Sequence, residues 1–241
     1  MAERLSTHQS AVDQPIGAFV AALGSNAPAP GGGAACALVG ALAVALAEMV
    51  AQFTIGRPKY QAVEERAQSI ITQTQTLRTE LLAQMDADER AFQAVSDAYR
   101  LAKNSEEQRA RRDAAIQTAL HGAMQPPLRV MELSCAALDL AREVAESGNS
   151  AVASDAGCAA LLGAAAVRAA ALNVLANVVL LHDSAAAAVA RARVTALEQR
   201  AATVQAATLA VVRRRMGIDD APLSASFAQG EGTAQQRETM I

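Results

Sequence analysis

The sequence predicts an all-α fold, a multi-helix bundle around two buried alanine-rich central helices. Three observations carry that prediction. Of 241 residues, 60 are alanine, the strongest intrinsic helix former. Only 2% are aromatic, whereas strands favour aromatic and β-branched side chains. Hydrophobic residues still make up 52%, enough for a core, and they recur at helical spacing.

The elements follow in order. A first helix starts near Gln14, with Asp13 as its cap and Pro15 in its first turn, and stops at Gly24. Ser25 to Gly33 is too rich in Pro and Gly for regular structure. A second helix runs from about Ala34 to Thr54, small and apolar on every face, and Gly56 and Pro58 end it. From Lys59 to Leu101, Val63, Ile70, Leu77, Leu81, Met85, Phe92 and Val95 mark an amphipathic stretch, either one bent helix or two abutting ones. Ser105-Glu106-Glu107-Gln108 is a capping box that opens the next helix. Pro126-Pro127 kinks or breaks it, and Gly148-Asn149, which tolerate left-handed geometry, close the segment after it. Ser154-Asp155 offers a further N-terminus for an alanine-rich helix to about Leu181. Asp183-Ser184 punctuates, and a last helix reaches Arg215. The alanine-dense stretches 34–51 and 156–188 allow close axial approach, so they are placed at the centre. One domain over 1–216 is expected, and a disordered tail over 217–241.

Composition excludes several functions. A net charge of −3, no Trp, and only two Tyr and four Phe argue against nucleic-acid binding, which uses basic stripes and stacking rings. Cys36, Cys135 and Cys158 are too scattered for a disulfide framework or zinc cluster and read as reduced, buried thiols. The N-terminus, with Glu3, Arg4 and His8, has no apolar run of a signal peptide, so a cytoplasmic location is expected. The uncharged runs 34–47 and 156–167 stop short of the roughly 18–20 residues of a membrane span and are assigned to the interior of a soluble bundle. No Walker loop, HExxH or Cys-x-x-Cys occurs, and no metal site is expected.

Four features carry polar chemistry. Gly31, Gly32 and Gly33 open directly onto a helix, where exposed N–H groups suit an anion or carbonyl oxygen, or where glycines serve as a flexible connector. Asp86 and Asp88 point about 200° apart on a helix, so at most one faces a given cleft. Asp88 shares the face of Met85, Phe92 and Val95 and is the more buried candidate; a solvated acidic face is the alternative. Asn173 and Asn177 lie four apart on one face of an apolar helix, and buried amides need partners, protein or ligand. Asn149 and Asp155 stand at helix ends, Asp155 with capping as its simpler role. Lys59 and Lys103 are the two lysines beside nineteen arginines, either ordinary surface groups or a grip on an anionic ligand tail.

Together, Pro30-Gly31-Gly32-Gly33, Phe53-Thr54-Ile55-Gly56 with Lys59-Tyr60, Asp86-Ala87-Asp88 with Ala91-Phe92, Lys103-Asn104, Gly148-Asn149, Ser154-Asp155-Ala156 and Ala171-Leu172-Asn173-Val174 set a distinctive order and spacing. In these motifs the chain resembles the cyclodeaminase/cyclohydrolase family of folate one-carbon enzymes, over about residues 12–215. The resemblance implies an all-α homodimer, a pocket for the pterin and its bridging carbon, Asp88 or Asp86 as acid–base residue, and the glycine loop near the ligand. The substrate would be a tetrahydrofolate derivative, free or polyglutamylated, with no metal or redox cofactor. Residues 154–174 are closer to stand-alone methenyltetrahydrofolate cyclohydrolases. A formiminotetrahydrofolate cyclodeaminase is the second expectation, and a non-catalytic helical scaffold the third. Pro58, where the family usually has a basic residue, departs from a tail-binding surface, and Gln125-Pro126-Pro127-Leu128 modifies a simpler Val-Pro-Leu.

Overall fold

The computed structural model describes residues 10–218, all of them in helices, turns and connecting segments. The helices are α1 (Ile16–Leu23), α2 (Gly32–Gln52), α3 (Glu64–Arg100), α4 (Glu106–Ala123), α5 (Gln125–Ser147), α6 (Ala153–Val178) and α7 (Ser184–Met216). The expected disordered tail falls, beyond Ile218, outside the described residues.

The amphipathic stretch is a single helix, α3, preceded by a short 3-10 segment, Pro58–Val63. The capping box forms: Ser105 Oγ accepts from the Gln108 N–H at 3.2 Å, and Gln108 Oε1 accepts from the Asn104 N–H at 2.9 Å. Pro126 and Pro127 do not kink a helix from within. They occupy the first turn of α5, where a missing N–H costs nothing, and α4 ends just before them.

Three expectations are corrected. Asp13 does not cap α1; it ends a 3-10 turn that Ser10 caps, and α1 starts after Pro15. Gly148 and Asn149 have φ of −73° and −63°, not left-handed values. Gly148 is needed for space instead: a Cβ there would lie 2.5 Å from the Val144 carbonyl and 3.0 Å from Val50 Cγ1. The break expected at Asp183-Ser184 forms: Asp183 Oδ1 accepts from the N–H groups of Ala185 and Ala186 and starts α7, which divides the 156–188 alanine run between α6 and α7. Cys158 is exposed, unlike buried Cys36 and Cys135, because it lies on the outer side of α6.

Helix α2 packs on α3, α5 and α6, while α6 packs on α2, α5 and α7. The alanine-rich helices are therefore central, as expected, but they share the centre with α5, which buries Leu128, Met131 and Leu138. Small residues set the spacing. Gly163 rides on Leu138, whose Cδ2 would lie 3.1 Å from a Cβ added there. By length and composition α2 and the 150–178 segment are apolar enough to cross a membrane, and 61% and 50% of their apolar windows are buried within the bundle. The apolar span of α2 is longer than the charge-free run because Glu48 is folded in, paired with Arg78 at 2.5 Å and reached by Gln75 at 3.4 Å.

Candidate active site

The glycine loop delivers Gly31–Gly33 to the start of α2, and α3 passes that point at Asp88. The turn from α6 toward α7 closes the same space with Leu180. Between them lies a cavity of about 400 Å³ lined by Gly31, Gly32, Gly33, Asp88, Phe92, Asn173 and Asn177, with Val95, Leu120 and Ala123 as an apolar wall. The structure thus brings together six of the predicted positions from three separate parts of the chain.

Asp88 is half-buried. Its carboxyl lies so close to Gly33 that a Cβ on that glycine would stand 2.0 Å from Oδ1. Burial raises the Asp88 pKa above the ordinary carboxylate range, the Ala34 backbone N–H opposes part of that rise, and the neighbouring Glu89 charge adds to it. Cys36, buried below, is pushed up to about 11 by the same desolvation and by the Asp88 charge. Asn173 donates to the Ala169 carbonyl at 3.1 Å and to Cys36 Sγ at 3.8 Å, which holds its amide beside Gly32. Asn177 donates to the Asn173 carbonyl at 3.0 Å and to the Ala123 carbonyl at 3.4 Å, tying α6 to the end of α4.

The other predicted positions lie elsewhere. Asp86 turns into a neighbouring cleft with Ser10, Glu89 and Arg90, where Ser10 Oγ donates to it at 2.6 Å. Lys59 and Asn149 lie past the far end of α2, about 30 Å from its first turn at 1.5 Å per residue. There Asn149 is committed to structure: its N–H donates to Thr54 Oγ1 at 2.9 Å, its Nδ2 to the Phe53 carbonyl at 2.9 Å, and its Oδ1 accepts from the Ala151 N–H at 3.0 Å. Tyr60 accepts from the Ser150 N–H at 3.0 Å, and hydrogen bonding from Ser150 lowers its pKa to about 8. Exposed Lys59 lies 5.3 Å from the Tyr60 ring. Asp155 is in the first turn of α6 rather than at its cap, at the opposite end from Asn173. Lys103 is exposed in the α3–α4 turn and does not line the cavity. Among the described residues, no three His, Cys, Asp or Glu side chains gather as a metal site requires.

Sequence reasoning missed the wall from α4, Leu120 and Ala123, and Leu180 beyond α6. Nothing in local spacing marks them, since each is an ordinary apolar position of its own segment.

Fold and cavity define an all-α protein whose carboxylate is held in a partly apolar cleft against a glycine loop. Residues 15–196 match the formiminotransferase-cyclodeaminase family. The chain is 43% identical to a methenyltetrahydrofolate cyclohydrolase of Methylorubrum extorquens, over 72% of this chain and 83% of that one. It is 35% identical to the rat formimidoyltransferase-cyclodeaminase over 86% of this chain, although that match spans only 38% of the rat protein. The crystal structure of a formiminotetrahydrofolate cyclodeaminase from Thermotoga maritima superposes with a TM-score of 0.70 at 29% identity, covering 85% of this chain and 96% of that one. The chain belongs to the formiminotransferase-cyclodeaminase family.

Proposed function

We propose that this chain is a methenyltetrahydrofolate cyclohydrolase, which hydrolyses 5,10-methenyltetrahydrofolate to 10-formyltetrahydrofolate. The observation that carries the reading is Asp88, a carboxylate with a raised pKa in a partly apolar cleft against Gly33. The identity to the Methylorubrum cyclohydrolase, higher than that to the rat protein, points the same way.

The substrate is a cation centred on the carbon between N5 and N10. The Asp88 carboxylate attracts that cation and takes a proton from the attacking water, forming a carbinolamine. As the bond from carbon to N5 breaks, protonated Asp88 returns its proton to N5. The remaining hydroxyl proton leaves to solvent and the carbon stays on N10 as a formyl group. One carboxylate serves both steps because its pKa lies closer to neutrality than a free one, an acid–base role typically worth about 10²–10⁴-fold. The chemistry assigned to these side chains calls on no metal or redox cofactor. The glycine loop supplies close approach for the flat pterin, and the Asn173 amide is placed to meet its polar edge.

The second reading, a cyclodeaminase that closes a formimino group onto N10 and releases ammonia, is supported by the likeness to the Thermotoga structure. A homodimer fits the surface: Leu42 of α2 and Leu161 and Leu172 of α6 are exposed at 49%, 45% and 70%, an apolar outer side that a second copy would cover. Light scattering on the purified chain tests this.

The reaction is tested by mixing the protein separately with methenyltetrahydrofolate and 5-formiminotetrahydrofolate and following the methenyl near-ultraviolet absorbance. Bleaching faster than in buffer is the expected result. Growth of the chromophore from the formimino substrate, with ammonia release and no bleaching, assigns the cyclodeaminase, and neither change assigns a scaffold.

A further inference from the structure

The turn between α6 and α7 forms one side of the mouth of the Asp88 cavity. Leu180 of that turn and Phe92 of α3 both line the cavity and are 49% and 46% exposed, so they make its rim. The adjoining wall comes from Leu120 and Ala123 of α4. Helix α4 stands outside the central stack of α2, α5 and α6. It packs chiefly on α3, where Ile116 and Leu120 meet Ala98 in a small core of their own.

Two side-chain amides fasten this helix to the end of α6. Asn177 reaches the Ala123 carbonyl at 3.4 Å. Earlier on α4, half-buried Gln117 spans the α6–α7 turn with both ends of its amide. Its Nε2 donates to the Leu180 carbonyl at 3.2 Å, and its Oε1 accepts from the His182 N–H at 2.8 Å. Between those two contacts, partly buried Leu181 packs against both the central core and the small α3–α4 core. An amide bonded on either side of an inward leucine fixes the backbone of the turn, because rotation of the turn would break both bonds. The exposed approach of His182 to Asp113, at 3.5 Å, adds little because solvent screens it.

Resting on the folate reading of the Asp88 cavity, we propose that Gln117 is a positioning residue for the reaction, holding Leu180 at the cavity rim so that bulk water is kept from Asp88. Gln117 is not in the cavity lining, so it acts through the turn it clasps. Desolvation is the largest cause of the raised Asp88 pKa, and a loosened rim lets that value fall. The titratable groups around Asp88 are Glu89 from α3 and the Cys36 thiol from α2. Among the described residues, α4 and α6 bring no ionisable side chain to the lining, so the clasp acts there by excluding water rather than by charge.

The test is the pH profile of kcat/KM for methenyltetrahydrofolate hydrolysis in a double-mutant cycle of Gln117→Met and Leu180→Ala. Methionine keeps the length of the side chain and removes both hydrogen bonds. Gln117→Met is expected to lower kcat/KM about tenfold, through misplacement of the rim, and to move the acid limb to lower pH. Leu180→Ala should do the same. The double variant should be no worse than Leu180→Ala alone, because Gln117 acts through that leucine. Thr118→Ala, whose hydroxyl bonds the Ala114 carbonyl within α4, should match the unsubstituted chain. Additive losses, a Leu180→Ala variant without effect, an acid limb that stays in place, or an equal shift in Thr118→Ala overturns the positioning role and leaves the cyclohydrolase standing. Absence of hydrolysis by the unsubstituted chain overturns the cyclohydrolase instead, and calorimetric titration with tetrahydrofolate then reads the clasp. Binding about tenfold weaker in Gln117→Met upholds it, the scale of two lost hydrogen bonds, and equal binding overturns it.

Discussion

The Asp88 carboxylate occupies the space that a side chain on Gly33 would need. With the Cβ position 2.0 Å from Oδ1 and 2.5 Å from Oδ2, any residue but glycine at 33 must move the acid. The glycine loop is thus a mould for the carboxylate as well as an approach for ligand.

Gly33→Ala is expected to reduce kcat/KM by at least about 100-fold, the scale of a misplaced acid–base group. Gly31→Ala, where a Cβ meets nothing within 4 Å, should retain most activity. Gly32→Ala, 3.4 Å from Asn173 Oδ1, should fall between them. Three single variants assayed side by side check the gradient, and equal losses at all three would return the loop to a plain connector.

Asp88→Asn is expected to cut turnover by about 100-fold or more while the fold is retained. Asp86→Asn, in a different cleft and bonded to Ser10, should lose far less. The measurement is kcat for both proteins, with helicity followed by circular dichroism. A larger loss at Asp86 would transfer the acid–base role to it.

The same substitution has a signed effect on stability. Asp88 titrates higher in the folded chain than in the unfolded one, so its contribution is present in full below the ordinary carboxylate pKa of 3.8 and is lost as pH rises through the raised value. Asp88→Asn removes that loss. Its Tm should exceed that of the unsubstituted chain near neutral pH, and the gap should close as pH falls below about 4, the unfolded-state range of Asp. Melting curves at several pH values check the trend, and a gap that widens on acidification contradicts it.

Packing away from the cavity gives an independent test. A methyl on Gly40 would lie 2.8 Å from Ser134 Oγ and 3.0 Å from Leu81 Cδ2, and Leu81 is fully buried. Gly40→Ala should destabilise the chain by about 1–3 kcal/mol in spite of its better helix propensity, a typical cost of overpacking. Denaturant unfolding measures it.

Much of the fold was legible because its determinants are local. The capping box at Ser105, the stop at Gly24, the proline break before α5 and the Asp183 cap each satisfy backbone groups within a few residues, so neighbouring identities suffice. Asp88 was separable from Asp86 by helix periodicity alone, since residues two positions apart on a helix point about 200° apart. The family resemblance rested on the same short motifs.

What the sequence by itself determined, then, was an all-helical chain, its main breaks, and which acid faces inward. Only the tertiary structure decided which predicted residues meet. Gly33, Asp88 and Asn173 are far apart in the chain yet share one cavity, because α2, α3 and α6 happen to align there. Asn149, Lys59 and Asp155 belong to the same motif set but fall about 30 Å away, since a straight helix of 21 residues carries its two ends that far apart. The central role of α5 was hidden because it arises from side chains of different helices packing together, and no spacing along one segment encodes which neighbour it will find.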